Sequence, residues 1–392
     1  MKLQAIEPDP YPWFPYKGFT FCLGLRKDEV VWTSGQSGAQ FDAEAERMVI
    51  RGTMADQLEM SYTKLLAVLA EAGLGAEDVV HLTENVTSAG VSDYEQVDAA
   101  RRTVFGEHTP TVTTVVVDRL VRGKALVELE LHAVPGGGTV LLDVGEQRLS
   151  SPVREGHDGT IHLPSIIPVD ADGATMYSGD PVAQYAYCLE RAEAIIDACG
   201  LELSNVVACH EYGTTAVRDL ATELADRRIE ALGRETAGGT VIMERLLKEG
   251  VTVSLDFTLS RRPKSVVDPG WARFAREPYA PGIRVGQTVY LSALSALDRN
   301  SGALVGDGDL GAQAKELYTQ MVDLLGFLGL GPEDLRSTIE FCAAEQIANY
   351  RVVADQRKNL LSPPWPASTG DLCTGFLAEG ALIQTAAIAE IP

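Results

Sequence analysis

The chain has 392 residues, of which 45% are hydrophobic and 22% are charged, a composition typical of a globular protein with an ample core. Its formal net charge of −22 disfavours binding to phosphate backbones and anionic lipid surfaces, so we expect no nucleic-acid and no membrane partner. The sequence contains neither an apolar run of about 18 residues nor an N-terminal signal core, and we therefore expect a cytoplasmic protein.

The cysteine pattern indicates neither a metal site nor a disulfide framework. The six cysteines form no Cys-x-x-Cys pair and no cluster with metal-ligand spacing. We expect buried thiols, no metal and no organic cofactor. The cysteines are Cys22, Cys188, Cys199, Cys209, Cys342 and Cys373.

One segment of the sequence recurs three times at the spacing of a whole domain. Gln57, Gln184 and Gln313 each lie 16 residues before a glycine and 21 residues before an aspartate or asparagine. The spacings of 127 and 129 residues between these glutamines match a small domain rather than a solenoid repeat of about 20 to 50 residues. We therefore predict three homologous domains in tandem.

Turn-forming segments separate the predicted domains. A Pro-Gly-Gly-Gly sequence at 135–138 ends the first domain, and a proline-containing stretch from Pro263 to Pro281 lies between the second and the third. We place the domains at 1–138, 139–268 and 269–392.

Within the first domain, the apolar patterns predict both strands and helices. Leu58, Tyr62 and Leu65 follow the i, i+4, i+7 spacing of an amphipathic helix, and a similar stripe recurs in the other two copies. The order predicts an α+β fold, in which two helices cover one face of a mixed sheet and the other copies cover the opposite face. The predicted elements are a strand at 29–38, a helix at 54–72, a strand at 79–87, a helix at 93–105 and strands at 111–120 and 124–134.

Several segments carry a resemblance to a known family. WTSGQSG at 32–38 and LVELELHAV at 126–134, together with VYLSALS at 289–295 and PASTGDLC at 366–373, resemble the Rid (YjgF-type) enamine/imine deaminase family. The middle domain is more divergent, since LPSIIP at 163–168 stands where the others have the serine-containing motif. Members of this family are typically homotrimers with ligand clefts between neighbouring subunits. The resemblance therefore implies a monomeric pseudo-trimer that binds a small-molecule substrate, and it leaves further oligomerisation open.

The arginine of this family is absent from all three copies. In Rid proteins a Pro-Ala-Arg motif supplies a guanidinium group that holds the substrate carboxylate through two hydrogen bonds. Val112, Gly238 and Ser368 stand at the corresponding positions. We therefore expect a substrate that is larger, less acidic or held by another cation. Arg119 and Arg245 are the candidates for that cation, although each is more typical of a solvated arginine.

The last strand of the first domain carries the main catalytic candidate. The resemblance assigns to Glu128 the role of the family glutamate that handles a proton or a water molecule beside the ligand, and an exposed strand carboxylate is the alternative. The third domain has Gln384 at the same spacing, while the second has Ser254, or Asp256 if the register slips. A carboxylate can act as general base and acid, whereas glutamine can only form hydrogen bonds.

The resemblance also implies groups that contact the substrate. Tyr16, Ser34 and Gly35 in the first domain and Ser292 in the third match cleft positions of the family. Only the first domain combines the serine-glycine motif with Glu128. We therefore expect function in a cleft bordered by the first domain, with the third domain as its partner.

A further feature comes from comparing the copies with one another. Glu84, Glu211 and Glu340 each lie six residues after the aligned aspartate or asparagine, on the strand that follows the first helix. Strand alternation places Glu84 on the same face as Leu82 and Val86, where burial would raise the pKa of its carboxyl group and suit it to proton transfer. Glu84 and Glu340 are therefore further catalytic candidates. The structural alternative is an ion pair with an arginine on a strand or a cap at the pseudo-threefold interface.

Three functional hypotheses follow. The first is a cofactor-independent hydrolase or deaminase that adds water to an imine, enamine or enol-type small molecule by acid/base catalysis. The second is a chorismatase-like enol-ether hydrolase, because chorismatase-like proteins also resemble fused Rid-type units. The third is a non-catalytic metabolite-binding protein, which the loss of the family arginine favours.

Overall fold

The structure, a computed structural model, describes residues 2–147 and 149–392. The first unit contains β1 (Gln4–Ile6), β2 (Gly24–Lys27), β3 (Val30–Thr33), β4 (Gln36–Ser37), β5 (Gln40–Asp42), β6 (Arg47–Val49), α1 (Met54–Glu71), β7 (Val79–Thr87), α2 (Tyr94–Phe105), β8 (Thr111–Val117), β9 (Arg119–Leu120) and β10 (Val127–Ala133). The second contains β11 (Thr139–Leu142), β12 (Val144–Gln147), β13 (Val153–Glu155), β14 (Ile161–His162), α3 (Pro181–Ala198), β15 (Val206–Thr214), α4 (Ala221–Leu232), β16 (Ala237–Met243) and β17 (Val253–Leu259). The third contains β18 (Lys264–Val267), β19 (Gly282–Val285), β20 (Thr288–Ser295), α5 (Leu310–Phe327), β21 (Leu335–Ala343), α6 (Arg351–Leu360), β22 (Ala367–Cys373), β23 (Gly375–Phe376) and β24 (Ile383–Glu390).

Local sequence signals determine where the long helices begin. Helix α1 starts after Thr53, whose hydroxyl accepts the backbone N–H of Asp56, while the Asp56 carboxylate accepts the backbone N–H of Thr53. Helices α3 and α5 start after Asp180 and Asp309, and each of these carboxylates accepts a backbone N–H group three residues further on. In all three copies, a side-chain N-cap therefore begins the first helix at the same position.

Each unit is built on a seven-stranded mixed sheet. The strand orders are β1-β2-β3-β10-β7-β8 with β4 added to β10, β11-β13-β14-β17-β15-β16-β23, and β18-β19-β20-β24-β21-β22-β9. The pairs β7–β8, β15–β16 and β21–β22 are parallel. The parallel pair recurs at the same place in each copy because a crossover through the second helix connects its two strands.

Two short strands join a neighbouring unit's sheet instead of their own. Strand β9 of the first unit pairs with β22 of the third, and β23 of the third pairs with β16 of the second. The third sheet also includes Lys264–Val267, which precede the expected domain boundary after residue 268. The sheets are therefore linked by backbone hydrogen bonds as well as by side-chain packing.

Each unit has its own core, and a further core joins all three. In the first unit, Leu58, Tyr62 and Leu65 of α1 pack with Leu82 and Leu129 of the sheet. The face of the sheet away from the helices meets the other units, so the predicted α+β fold, with three tandem units that pack against one another, is confirmed. Buried residues of the shared core include Val115, Leu120, Tyr212, Val241, Met243, Phe341, Cys373 and Phe376.

The structure also bears on the expected surroundings of the cysteines and on membrane contact. All six cysteines are free and buried, as the sequence predicted. Over residues 2–147 and 149–392, no helix has both the length and the apolar character needed to cross a bilayer.

The first prediction tests whether the units depend on one another. A chain truncated after residue 262 lacks β23 and β22, so it leaves β16 and β9 unpaired and exposes the shared apolar core. We expect it to aggregate or to lose cooperative unfolding in size-exclusion chromatography and urea denaturation, with the full chain as control. A soluble truncated monomer with one cooperative transition would contradict the prediction.

Candidate active site

Strand register determines which side chains face the other units. Between β7 and β10, Asn85 lies opposite Glu128 and Thr83 lies opposite Glu130, so these four side chains share one face of the first sheet. Leu129 and Glu84, the pair between these two, point to the opposite face, which the helices cover. Glu128 and Glu84 are therefore on opposite faces of the same sheet.

The register also identifies the counterpart of Glu128 in the second unit. Tyr212 lies opposite Ser254 in the β15–β17 pair, as Asn85 lies opposite Glu128 in the β7–β10 pair. Ser254 rather than Asp256 therefore corresponds to Glu128. The second unit has no carboxylate at this position.

Three carboxyl groups meet where the first unit contacts the third. Glu128 and Glu130 of β10 interact electrostatically with Asp371 of β22, and the Thr369 hydroxyl donates a hydrogen bond to Glu130. Asp371 is 1% exposed, and neither of its carboxyl oxygens has a hydrogen-bond partner. Glu128 as a residue is partly buried, whereas Asp371 is fully buried.

The environment shifts the proton affinity of all three acids in the same direction. Burial raises the pKa of Glu128 to about 7, and the neighbouring Glu130 adds to this rise, while Lys64 and Arg122 oppose it. Burial also raises the pKa of Glu130. Burial, followed by the charges of Glu128 and Glu130, raises the pKa of Asp371 well above its usual range. A proton is therefore held in this cluster near neutral pH.

Gly35 makes room for the Glu128 carboxyl group, and Lys64 is a nearby cation that acts on it electrostatically. A β-carbon on Gly35 would lie 2.3 Å from Glu128 Oε1, so only glycine leaves room for the carboxyl group there. The Lys64 ammonium donates hydrogen bonds to the carbonyls of Ser37, at 2.6 Å, and Ala39. Burial lowers the pKa of Lys64 to about 8.

Ser34 and Ser292 lie at contacts between units. The Ser34 hydroxyl donates to the Cys22 carbonyl and accepts the backbone N–H of Ser368 at 2.8 Å. The Ser292 hydroxyl donates to a carbonyl of its own unit and accepts the backbone N–H of Gly238 at 3.0 Å. Both serines are fully buried and their hydroxyls form hydrogen bonds with backbone groups of two units, while their contact with substrate stays a prediction.

Tyr16 and Arg119 lie away from the carboxyl cluster. The Tyr16 side chain packs in the core of the first unit, and burial followed by Glu7 and Asp9 raises the pKa of its hydroxyl. Arg119 on β9 is exposed. Arg245, which follows β16, is exposed as well. The structure does not bring any of these three groups to Glu128.

Glu84 and its counterpart in the second unit form buried ion pairs with the second helix. Glu84 is fully buried and lies 2.6 Å from Arg101 of α2. Glu211 lies 2.7 Å from Arg228 of α4. Burial raises the pKa of Glu84, and Arg101 opposes this rise. Each pair fastens the second helix of a unit to its sheet.

Glu340 has the same place in the third unit. It is fully buried and accepts hydrogen bonds from the hydroxyls of Tyr318 and Tyr350, with Arg357 of α6 nearby. Glu340 faces the helices and does not reach the cleft. The structural alternative given for these glutamates therefore describes their positions, with the difference that the arginines come from helices.

The family arginine is missing whichever register is chosen. Strands β8, β16 and β22 read TVTTVVV, AGGTVIM and ASTGDLC, and none contains an arginine. Val112 is part of the core of the first unit, and its backbone N–H donates to the hydroxyl of Ser151 at 2.9 Å. A cation that binds carboxylate is absent from these three strands.

Sequence reasoning missed two members of the cluster for different reasons. Glu130 follows Glu128 by two residues, so strand alternation alone could have placed it on the same face. Asp371 lies on a different unit, 243 residues beyond Glu128, and no sequence signal connects the two.

A cavity of about 150 Å³ lies where the three sheets meet, and we call it the axial cavity. All three units contribute to its wall, with Glu130, His210 and Phe341 as one residue from each. Several histidines also line it, but among the described residues no group of three or more potential metal ligands is arranged to hold an ion.

Comparison with known proteins finds a family match in the first unit. The sequence profile described as "Endoribonuclease L-PSP" matches residues 18–135, which is most of the first unit. The chain resembles the Rid family. Uncharacterized protein SCO2049 of Streptomyces coelicolor is 25% identical over 118 residues, which cover 27% of this chain and 87% of that protein.

Three solved structures are similar to this chain to the following extents. The YjgF gene product of E. coli is 25% identical, with 33% of this chain and 98% of that chain covered and a TM-score of 0.28. E. coli TdcF, crystallised with bound serine, is 26% identical with the same coverage and a TM-score of 0.28. A chorismatase is 13% identical, with 80% of this chain and 93% of that chain covered and a TM-score of 0.49.

The second prediction concerns the buried ion pairs. Arg101→Met leaves Glu84 buried without a cation, and we expect a loss of about 3 to 5 kcal/mol in the free energy of unfolding. Arg102→Met is the matched control, since Arg102 pairs with Asp98 at the surface and should contribute less than about 1 kcal/mol. Urea denaturation measures both, and equal losses would refute a structural role for Glu84.

Proposed function

We propose that the chain is a hydrolase or deaminase that acts on an imine, enamine or enol-type small molecule in the cleft between the first and third units. Glu128 is the proton carrier in this proposal. The observation that supports it best is the meeting of Glu128 with Glu130 and with Asp371 of the third unit, in surroundings that raise the pKa of Glu128 to about 7. A carboxyl group with a pKa close to the ambient pH can donate a proton in one step and accept one in the next.

The chemistry needs only one proton carrier and water. Protonated Glu128 donates its proton to the carbon or heteroatom of the substrate, which makes the adjacent carbon electrophilic. The resulting Glu128 carboxylate accepts a proton from the water molecule that adds to this carbon, and collapse of the adduct releases ammonia or an alcohol. Glu130 and Asp371 favour the protonated starting state because a second ionised carboxylate nearby is disfavoured.

The carboxyl cluster also bears on the substrate. A carboxylate-bearing substrate would lie beside Glu128 and Glu130, and only Lys64 and Arg122, which act on Glu128, could offset the repulsion, since β8, β16 and β22 carry no arginine. Chorismatase-like hydrolysis of an enol ether is the second candidate, and it would use the same proton carrier.

The absent arginine also supports a non-catalytic metabolite-binding protein as the remaining candidate. An assay of ammonia release from a panel of imines separates an enzyme from a binding protein. Pyruvate release from chorismate would select the enol-ether hydrolase.

The third prediction tests Glu128 directly. Glu128→Gln preserves the shape of the side chain but removes its proton, so we expect turnover to fall by about a hundredfold or more with little loss of stability. The wild-type pH profile of kcat/KM should show an ionisation close to pH 7 that is absent in the variant. Glu107→Gln, at an exposed position of the same unit, is the control. Equal rates in the two variants would place the reaction elsewhere.

The fourth prediction concerns specificity. Without the arginine, an imino acid loses a charge-assisted contact of about 1.5 to 3 kcal/mol, which corresponds to roughly ten- to a hundredfold in binding. We expect poor hydrolysis of 2-aminoacrylate-type imino acids relative to an arginine-bearing Rid protein assayed in parallel. Comparable rates would show that another cation has taken over this role.

A further inference from the structure

The axial cavity is large enough for a small ring. Its volume of about 150 Å³ matches that of cavities that hold a benzene-sized ligand. Tyr212 and Phe341 supply aromatic walls, with ring centroids 6.0 Å apart at 64°. A planar ligand could pack against both rings.

Charges at one end of the cavity are balanced. Arg336 lines the wall and lies 3.0 Å from Glu390, which also pairs with Lys27 at 3.1 Å. Asp158 lies 3.3 Å from His132 at the same end. Arg336 and Lys27 carry two positive charges, and Glu390 and Asp158 carry two negative charges. The charges at this end therefore cancel, and a charged ligand would gain little there.

The other part of the cavity has acids without a cation. Asp256 and Glu130 occupy equivalent positions on β17 and β10, opposite His210 and Thr83. Burial lowers the pKa of His210 to about 4, so this imidazole is neutral at physiological pH. Asp256 Oδ1 has no hydrogen-bond partner, and burial raises the pKa of the Asp256 carboxyl group to about 7, so this acid is ionised at mildly alkaline pH.

The remaining histidines do not supply the missing charge. His81 and His162 stack with ring centroids 3.9 Å apart. Burial lowers the pKa of His81 to about 3 and that of His162 well below its usual range, so both rings are neutral. The carboxyl groups of Asp256 and Glu130 therefore face the cavity with no positive partner in its wall near them.

We propose that the axial cavity binds a small planar organic cation, an aromatic amidine or amine, with its N–H groups directed at Asp256 and Glu130 and its ring against Tyr212 and Phe341. A cation meets the unpaired acids, and aromatic faces attract it further. An anion of the same size would be repelled by these two acids, and the other end of the cavity, where the charges cancel, would not attract it. The axial cavity adjoins the Glu128 cluster, with which it has Glu130 in common, but the binding proposal does not depend on the proposed reaction.

Calorimetric titration with benzamidine tests this site at mildly alkaline pH, with benzoate as a probe of the same shape and opposite charge. We expect saturable one-to-one binding of benzamidine and none of benzoate at the same concentrations. Absence of benzamidine binding at millimolar concentration, or equal binding of benzoate, would overturn the proposal. Because the readout is binding, it is independent of any hydrolase assay.

Three variants locate the probe. Asp256→Asn removes one acid and should weaken benzamidine binding by about ten- to a hundredfold. Ala386→Leu fills the equivalent position of the third unit without changing a charge and should abolish binding. Asp226→Asn makes the same chemical change as Asp256→Asn at an exposed helix position and should leave binding unchanged.

The outcomes are decisive in combination. Binding that is unaffected by Asp256→Asn, or that persists in Ala386→Leu, would place benzamidine outside the axial cavity and overturn the proposal. Thermal unfolding of each variant shows that it is folded. If either cavity variant fails to fold, benzamidine protection of Asp256 from carbodiimide labelling in the wild-type chain decides the matter, and unprotected Asp256 contradicts the proposal.

Discussion

The structure depends on one constraint: each sheet has two faces to bury, and its own helices cover only one. The other face is covered by the remaining units, through a shared apolar core and through strands β9 and β23, which pair outside their own units. Separate subunits would lose about 4 to 15 kcal/mol of translational and rotational freedom on assembly. A single chain holds the units at high effective concentration, so the assembly does not depend on protein concentration.

The same constraint allows the interfaces to differ chemically. The position of Glu128 is Ser254 in the second unit and Gln384 in the third, and the position of Asp371 is valine in the other two. Only the contact of the first unit with the third brings acidic residues from both positions together. In a homotrimer any such combination would occur three times, whereas here it occurs at one interface.

The repeat and the apolar periodicity were sufficient to predict the fold, because they report on residues that are neighbours along the chain. Helix α1 and strand β7 lie where the spacing of Leu58 and Leu82 indicated. The composition of the candidate site could not be predicted in the same way. It depends on which face of the sheet a residue occupies and on which unit packs against that face. Glu84 and Glu128 are both strand glutamates with apolar residues nearby in the sequence. In the fold, Glu84 pairs with Arg101 beneath a helix, whereas Glu128 meets Asp371 of another unit. Ser34 matched a family motif, but its hydroxyl is occupied at an interface.

The residues around the axial cavity show how joining three different units in one chain changes the number of buried charges. Glu130, Asp256 and Ala386 are equivalent by strand register, so a symmetric trimer with an acid here would place three carboxyl groups around one axis. Three like charges in a buried space favour protonation, and they would work against folding as the pH rises. Alanine in the third unit removes one acid and opens space beside the other two. The result is a cavity with two acids, a neutral side and aromatic walls, and no symmetric assembly of one Rid-type sequence could provide it.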